Sequence, residues 1–313
     1  MTQKAVTRVL AFANQKGGVG KTTNSVQIGA ALAHRKKKVL IMDMDENAGA
    51  TKHLGISVDS NLLGTFEVLL GLEDPNDLVI SNDPDEGFDL PPNLDVLIGS
   101  RKLSTLEKSL VQVDKHASVH DCLKRPLKLL EGKYDYVLLD LPPQMPAQNL
   151  AAYRSVPWFV LCAIPQAFAI HGLNEAVRDI NAVIKNETNP KVQILGVILA
   201  CIDRRTRLSR ELNTYVERVF NRPGSIPRCL EPVIPTAQDV CNAQDARKTI
   251  FDYKPNSPVA QAYLELSKKI EKQLRKIETE QKQVVKELSD TELRDISDEV
   301  RGDLHQRGSS ANA

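Results

Sequence analysis

Lys16-Gly17-Gly18-Val19-Gly20-Lys21-Thr22-Thr23 is a glycine-rich run set between the apolar stretch Val9 to Ala13 and a helical pattern over residues 21 to 35. Such a run lets a loop turn its backbone N–H groups inward, and the helix behind it presents its positive end; together they make a phosphate cradle. The strict G-x-x-x-x-G-K-[ST] pattern has glycine at its first position, where this chain has Gln15. The strict motif fails, yet the strand before, the helix after and the Gly-Lys-Thr triplet remain. The run is therefore read as a nucleoside-triphosphate site rather than a ligand-free turn, with Lys21 placed for the β- and γ-phosphates and Thr22 for Mg²⁺.

Outward from this loop, short β-rich runs alternate with longer helical patterns: Val9 to Ala13, Val39 to Met44, Leu94 to Ile98, Tyr136 to Leu141, Trp158 to Ile164, Ile194 to Cys201 and Leu230 to Ile234. The runs are nearly continuous in Val, Ile and Leu, as strands buried on both faces require. They predict an α/β fold with a mainly parallel, twisted sheet flanked by helices on both faces. The helix over 21 to 35 ends in Arg35 to Lys38, cations that suit a helix C-terminus. Residues 73 to 93 are rich in Pro, Asp and Asn and predict a surface loop. From Ser267 the chain is strongly charged, and Ile270, Leu274, Ile277, Val284 and Leu288 form one helical stripe, suited to packing on the body or to a short coiled coil. The expected organisation is an ATPase domain over 1–266 and a charged helical tail over 267–313, frayed beyond Leu304.

Two strand ends carry the acidic chemistry. Tyr134 to Leu141 is an apolar run that reaches Asp140, where a Walker-B carboxylate holds a Mg²⁺ shell through water. The second strand ends Met42-Asp43-Met44-Asp45, which sets two carboxylates beside the loop. Phosphoryl transfer needs positioning more than covalent chemistry, so one of them is expected to orient the attacking water.

Composition narrows the class further. The chain has 313 residues, 42% hydrophobic and 26% charged, which excludes general disorder. A formal net charge of +1 gives no global attraction to nucleic acid or anionic lipid, so any such binding has to be local. The five cysteines contain no Cys-x-x-Cys pair, and Cys162 and Cys201, inside apolar runs, read as buried core thiols. No signal-peptide pattern or long apolar span is present, so a reducing cytoplasm is expected.

The two lysines around the first glycines, Lys16 and Lys21, resemble the deviant Walker A motif of the ParA/MinD ATPases, a class that lacks the first glycine. Asp43-Met44-Asp45 followed by Ala50-Thr51 and Leu54-Gly55 is similar to the Asp-x-Asp-Pro-Gln-Gly-Asn-Ala-Thr segment of the ParA branch, and Asp140-Leu141-Pro142-Pro143 to its Asp-x-Pro-Pro segment. Arg205-Thr206, Ile234-Pro235 and Tyr253 to Leu264 extend the likeness over residues 6 to 266. The resemblance implies ATP and Mg²⁺ held by Lys16, Gly17, Gly18, Val19, Gly20, Lys21, Thr22 and Thr23, with Pro235 lining the adenine pocket. It implies that Lys16 reaches across an ATP-bridged homodimer to the partner's phosphates, that Asp45 positions the hydrolytic water, and that hydrolysis is slow and stimulated by a ParB-like activator. Glu46-Asn47-Ala48-Gly49 departs from the usual Pro-Gln-Gly-Asn, and the extra carboxylate bears on rate or partner response.

Arg204, Arg205, Arg207 and Arg210 put four guanidinium groups into seven residues. Such a cluster binds backbone phosphates without reading sequence, and the resemblance implies that role in non-specific double-stranded DNA binding by a nucleoid-associated protein. The charges also suit a solvated helix start paired with Asp203 and Glu211. Alternatives within the class are positioning of a protein cargo cluster, a MinD-like membrane ATPase, which calls for a bulky amphipathic C-terminal helix, and an iron–sulfur protein, for which Cys122 and Cys162 lack the spacing. The first strand begins a few residues in, which leaves no room for a helix-turn-helix domain and makes operator-specific repression an unexpected role.

Overall fold

The strands take their places by burial. In the computed structural model, which describes residues 6–280 apart from 59–61, 144–146, 167–168, 187, 190 and 221–228, the apolar runs become β1 (Arg8–Ala13), β2 (Val39–Asp43), β3 (Leu94–Leu97), β4 (Tyr136–Asp140), β5 (Trp158–Ala163), β6 (Gln193–Leu199) and β7 (Cys229–Leu230). They form one sheet in the order β3-β2-β4-β1-β5-β6-β7, with every pairing parallel. β2, β4 and β5 are buried at every position, so both faces of the sheet are covered. Each Leu, Ile or Val enclosed there contributes about 1.5–3 kcal/mol.

The covering helices follow in chain order: α1 (Lys21–His34), α2 (Gly49–His53), α3 (Thr65–Leu69), α4 (Pro75–Leu78), α5 (Leu106–Val113), α6 (Lys124–Leu130), α7 (Ala147–Ser155), α8 (Ala169–Lys185), α9 (Arg207–Phe220), α10 (Gln238–Asp245) and α11 (Ile250–Tyr253). α1 is the most enclosed of the early ones, with Val26, Ile28, Ala31 and Leu32 inaccessible. A Cβ at Gly29 would lie 3.0 Å from Ile41 Cδ1, so α1 approaches β2 as closely as a residue without a side chain allows. A helix also occupies 258–280. The compact body runs to Lys269 and a second unit begins at Ile270. In that second unit Arg275 pairs with Glu271 at 2.7 Å; Val284 and Leu288 of the sequence stripe lie outside the described residues.

Three expectations need correction. β6 stops at Leu199, and Cys201 has a left-handed φ of 54° and is exposed, so it is no core thiol; Cys162 is buried. β7 is confined to two residues, since Pro232 supplies no N–H for a longer ladder. Residues 73–93 carry local order. Asp74 caps α4 by accepting from the Asn76 N–H, Pro75 opens that helix, and Ile80 bridges to Val96.

β1 lies between β4 and β5, and the carboxyl ends of β1, β4 and β2 fall side by side: Phe12 is level with Asp140, and Asp140 with Asp43. In a parallel α/β sheet the crevice outside those ends is where ligands bind.

Candidate functional site

The glycine-rich loop joins β1 to α1. Gly18 and Gly20 have φ values of 70° and 84°. At Gly18 nothing lies within 4 Å of a would-be Cβ, so the left-handed backbone alone demands glycine there. Gly20 caps α1 without a side-chain hydrogen bond, which leaves the first-turn N–H groups of the helix to other acceptors. Val19 is buried, while Gly17, Gly18, Gly20, Thr22 and Thr23 border a cavity of about 460 Å³. The loop is held from below by Asn14, whose Nδ2 donates to the Cys162 carbonyl at 2.8 Å and whose Oδ1 accepts from the Lys16 N–H at 2.9 Å.

Lys21 is buried, and its Nζ donates to the Lys16 carbonyl at 3.0 Å, folding back across the loop. Burial lowers its pKa, opposed chiefly by the charge of Asp140. A desolvated ammonium with one neutral acceptor has donors to spare for an anion.

The acidic residues divide into a satisfied one and an unsatisfied one. Asp43 is fully buried and its oxygens accept from the Asp45 N–H (3.1 Å), the Thr51 N–H (2.9 Å) and the Thr51 hydroxyl (2.7 Å). It organises the segment after β2. Asp140 is equally buried, yet neither carboxylate oxygen has a hydrogen-bond partner. Burial raises its pKa first and the neighbouring Asp43 second; Thr22 and Lys21 pull it back, with Thr22 outside regular hydrogen-bond geometry. A pair of orphaned carboxylate oxygens beside a hydroxyl, at the foot of a phosphate cradle, fits a hydrated divalent cation.

Asp45 lies at the rim, where its Oδ1 accepts from the Asn47 N–H at 2.8 Å and from Asn47 Nδ2 at 2.9 Å. It borders both the first cavity and a neighbouring one of about 860 Å³ that also touches Gln15, Glu46, Glu107 and Glu175. Gly49 closes this segment on the loop: a Cβ there would come within 3.1 Å of Thr22 Cγ2. Pro235 borders the first cavity with Ile234, Val240 and Tyr263. The fold thus gathers every sequence-predicted phosphate, metal and base residue except Lys16, Val19 and Asp140 onto one cavity wall, with Lys16 and Asp140 tied to it through Lys21.

The chain matches the family described as "AAA domain" over residues 7–194. It is 31% identical to the sporulation initiation inhibitor protein Soj of Bacillus subtilis over 263 residues, covering 84% of this chain and 98% of that protein. With the chromosome partitioning protein ParA of Caulobacter vibrioides it shares 31% identity over 264 residues, 84% of this chain and 93% of the relative. This chain belongs to the ParA family of ATPases. Among solved structures, a cobyrinic acid a,c-diamide synthase from Mycobacterium smegmatis with bound ATP analog and magnesium is similar at 30% identity and a TM-score of 0.68, over 84% of this chain and 93% of that one.

Within this ParA-family fold the arginine cluster stands apart. Arg204, Arg205, Arg207 and Arg210 are all exposed and none borders the cavity. Arg205 forks onto Asp203, Nε to Oδ1 at 3.0 Å and Nη2 to Oδ2 at 2.9 Å, and holds that carboxyl down at about 2. Arg207 pairs with Glu211 at 2.6 Å.

Sequence reading missed three parts of the site. Asn14 carries a signal in retrospect, as a polar residue closing an apolar strand. Gly172 carries none: it lies inside α8, and a Cβ there would fall 2.4 Å from Asn14 Oδ1 and 3.3 Å from Lys16 Cβ. Gln15, on the same loop, donates to Asp179 of α8. Tyr263 is the third. Its hydroxyl donates to Asn24 Oδ1 at 2.9 Å across the cavity wall.

Proposed function

We propose that this ATPase binds ATP with Mg²⁺ in the cavity behind the glycine-rich loop and pairs as a homodimer bridged by ATP. In that state it binds double-stranded DNA non-specifically, and with a ParB-like activator it drives segregation of a plasmid or chromosomal region. The observation that carries the reading is Asp140, a fully buried carboxylate kept without a hydrogen-bond partner beside Lys21 and Thr22. A stable fold gains nothing from such a group, whereas a cation site requires it.

The proposed roles draw on these placements and, for Lys16 and Pro235, on the family resemblance. Loop N–H groups and Lys21 hold the phosphates, Lys21 exchanging the Lys16 carbonyl for phosphate oxygen. Thr22 and, through water, Asp140 would hold Mg²⁺, which would neutralise charge developing on the phosphates. Asp45, oriented by Asn47, positions the attacking water. Lys16 completes the partner's site, and Pro235 lines the adenine. Because nucleotide bridges the protomers, its hydrolysis to ADP and phosphate dissolves the DNA-binding form. Arg204, Arg205, Arg207 and Arg210 contact DNA phosphates; their present carboxylate partners are exposed, and exposed pairs exchange readily for phosphate. Residues 1–266 carry this activity in the cytoplasm, associated with the nucleoid. Among the described residues no helix is long and apolar enough to cross a membrane.

The test combines two assays on the full chain. ATP hydrolysis is measured with Mg²⁺, DNA and the ParB-like protein encoded nearest this gene; an undetectable rate in that mixture rejects the catalytic reading. DNA retention is measured with ATP for wild type and Arg205→Glu. Equal salt-dependent affinity rejects the arginine assignment, while loss of retention with ATP binding intact supports it.

A further inference from the structure

Two of the free cysteines share the nucleotide cavity. Cys201 follows β6 and Cys241 lies in the first turn of α10, and both border the 460 Å³ cavity beside Pro235 and Tyr263. The segments that carry them are stitched together. The Ile202 N–H donates to the Ile234 carbonyl at 3.0 Å and the Thr236 N–H to the Ile202 carbonyl at 3.2 Å, in a parallel bridge between Ile202 and Pro235. Cys201 thus sits one residue before the bridge, and α10 begins three residues after it. Of the four cysteines whose exposure is described, these two are exposed; Cys162 is buried and Cys122 partly so. The left-handed φ of 54° at Cys201 marks where the chain leaves the β6 direction.

We propose that Cys201 and Cys241 form a thiol-modification site in the wall of the nucleotide cavity, where oxidation to a disulfide by a peroxide excludes the nucleotide. This rests on the cavity being the ATP site. Burial, and then the neighbouring Cys241, raise the Cys201 pKa. The Cys241 thiolate attacks the peroxide O–O bond, giving a sulfenic acid and, after protonation, one water from hydrogen peroxide. The Cys201 sulfur then displaces the sulfenic oxygen, which leaves as a second water with the remaining thiol proton. Two thiols are oxidised by two electrons and one peroxide is reduced to two waters. A disulfide holds its Cα atoms within roughly 7 Å, so it locks α10 against the end of β6 across the wall that a nucleotide has to line. Burial pushes the thiols of Cys122 and Cys162 up to about 12, which keeps them out of the exchange.

The experiment treats the full-length protein with hydrogen peroxide, with and without Mg²⁺ and ATP, and reads peptide mass and binding of radiolabelled ATP. The expected result is a cross-linked peptide pair containing Cys201 and Cys241, at least a tenfold loss of ATP affinity, recovery with dithiothreitol, and protection when ATP is bound first. Cys241→Ser and Cys201→Ser, each compared with the same variant before oxidation, should lose the response to peroxide; Cys241→Ala serves if the serine variants misfold. A 201–241 disulfide that leaves affinity unchanged overturns the proposal, as does its failure to form, or an equal loss in the double serine variant. If the reduced wild type does not bind ATP at all, the nucleotide reading fails and takes this one with it. Normal binding when reduced, unchanged on oxidation, sinks only the thiol proposal.

Discussion

The loop end of the sheet and the start of α9 are both dense in charge, and they handle it in opposite ways. At the loop, Lys21, Asp43 and Asp140 are buried together, and Asp140 is left without a hydrogen-bond partner, with Lys21 and Thr22 drawing its raised pKa only part-way back. Around α9 the arginines are exposed, and Arg205 and Arg207 each have a carboxylate. Burying a charge without compensation is costly, so it persists only where a ligand supplies the missing partner. Pairing charges in water costs little and is compatible with almost any role. The first arrangement therefore identifies a site from its energetics, whereas the second identifies one only through a binding experiment.

The sharpest way to break this comparison is Asp140→Asn. Loss of the carboxylate should lower ATP hydrolysis by about 10²–10³-fold, and above pH 8, where a carboxyl raised to about 8 by burial is charged, it should stabilise the ligand-free protein by on the order of 1–3 kcal/mol. Steady-state kinetics and thermal melts read both, and a destabilised variant would show that Asp140 is satisfied in solution.

His53 tests whether burial alone makes a site. It is buried, with its pKa pushed from 6.5 down to about 4 by desolvation. Gln27 Oε1 accepts from the Ile250 N–H, so Gln27 Nε2 donates to His53 Nε2 and the neutral ring carries its proton on Nδ1. The depressed value means the unfolded chain binds the proton first. Stability is then complete above pH 6.5 and lost as the pH falls toward 4, by up to roughly 3 kcal/mol. Denaturant titrations of wild type and His53→Gln across that window should show the slope in the first and a flatter profile in the second, with equal ATPase rates at pH 8.

Gly172→Ala probes the support beneath the loop. Its methyl group would meet Asn14 Oδ1 at 2.4 Å, so an overpacking cost of about 1–3 kcal/mol is expected. A fall in kcat with KM for ATP nearly unchanged would place the damage at Lys16 rather than at nucleotide binding. A fully active variant would detach α8 from the loop. Smallest is the effect of Arg205→Ala on folding: an unchanged melting temperature, with the salt dependence of DNA binding reduced by about one counterion.

Much of this molecule is legible along the chain. The apolar runs locate β1 to β6 to within a residue or two, because a strand enclosed on both faces has no polar position to blur its ends, whereas β7 stops four residues short of its run. Cys201 was misread for the same reason: the run continues to residue 201 while the sheet ends at Leu199. Helix α4 and the Ile80–Val96 bridge were invisible because a segment rich in Pro and Asp signals turns whether or not its neighbours order it.

The sequence by itself determined the glycines that allow the left-handed turns at 18 and 20, the lysines around them, and the carboxylates at the ends of β2 and β4. These are local properties, fixed by backbone sterics and by the period of the side chains. Only the tertiary structure decided that Asp43 is satisfied and Asp140 is not, that Gly172 makes room for Asn14, that Tyr263 reaches Asn24, and that Cys201 and Cys241 line one cavity. Burial and hydrogen bonding are set by groups that meet from segments up to 239 residues apart, as Asn24 and Tyr263 do, and no window along the chain contains both partners.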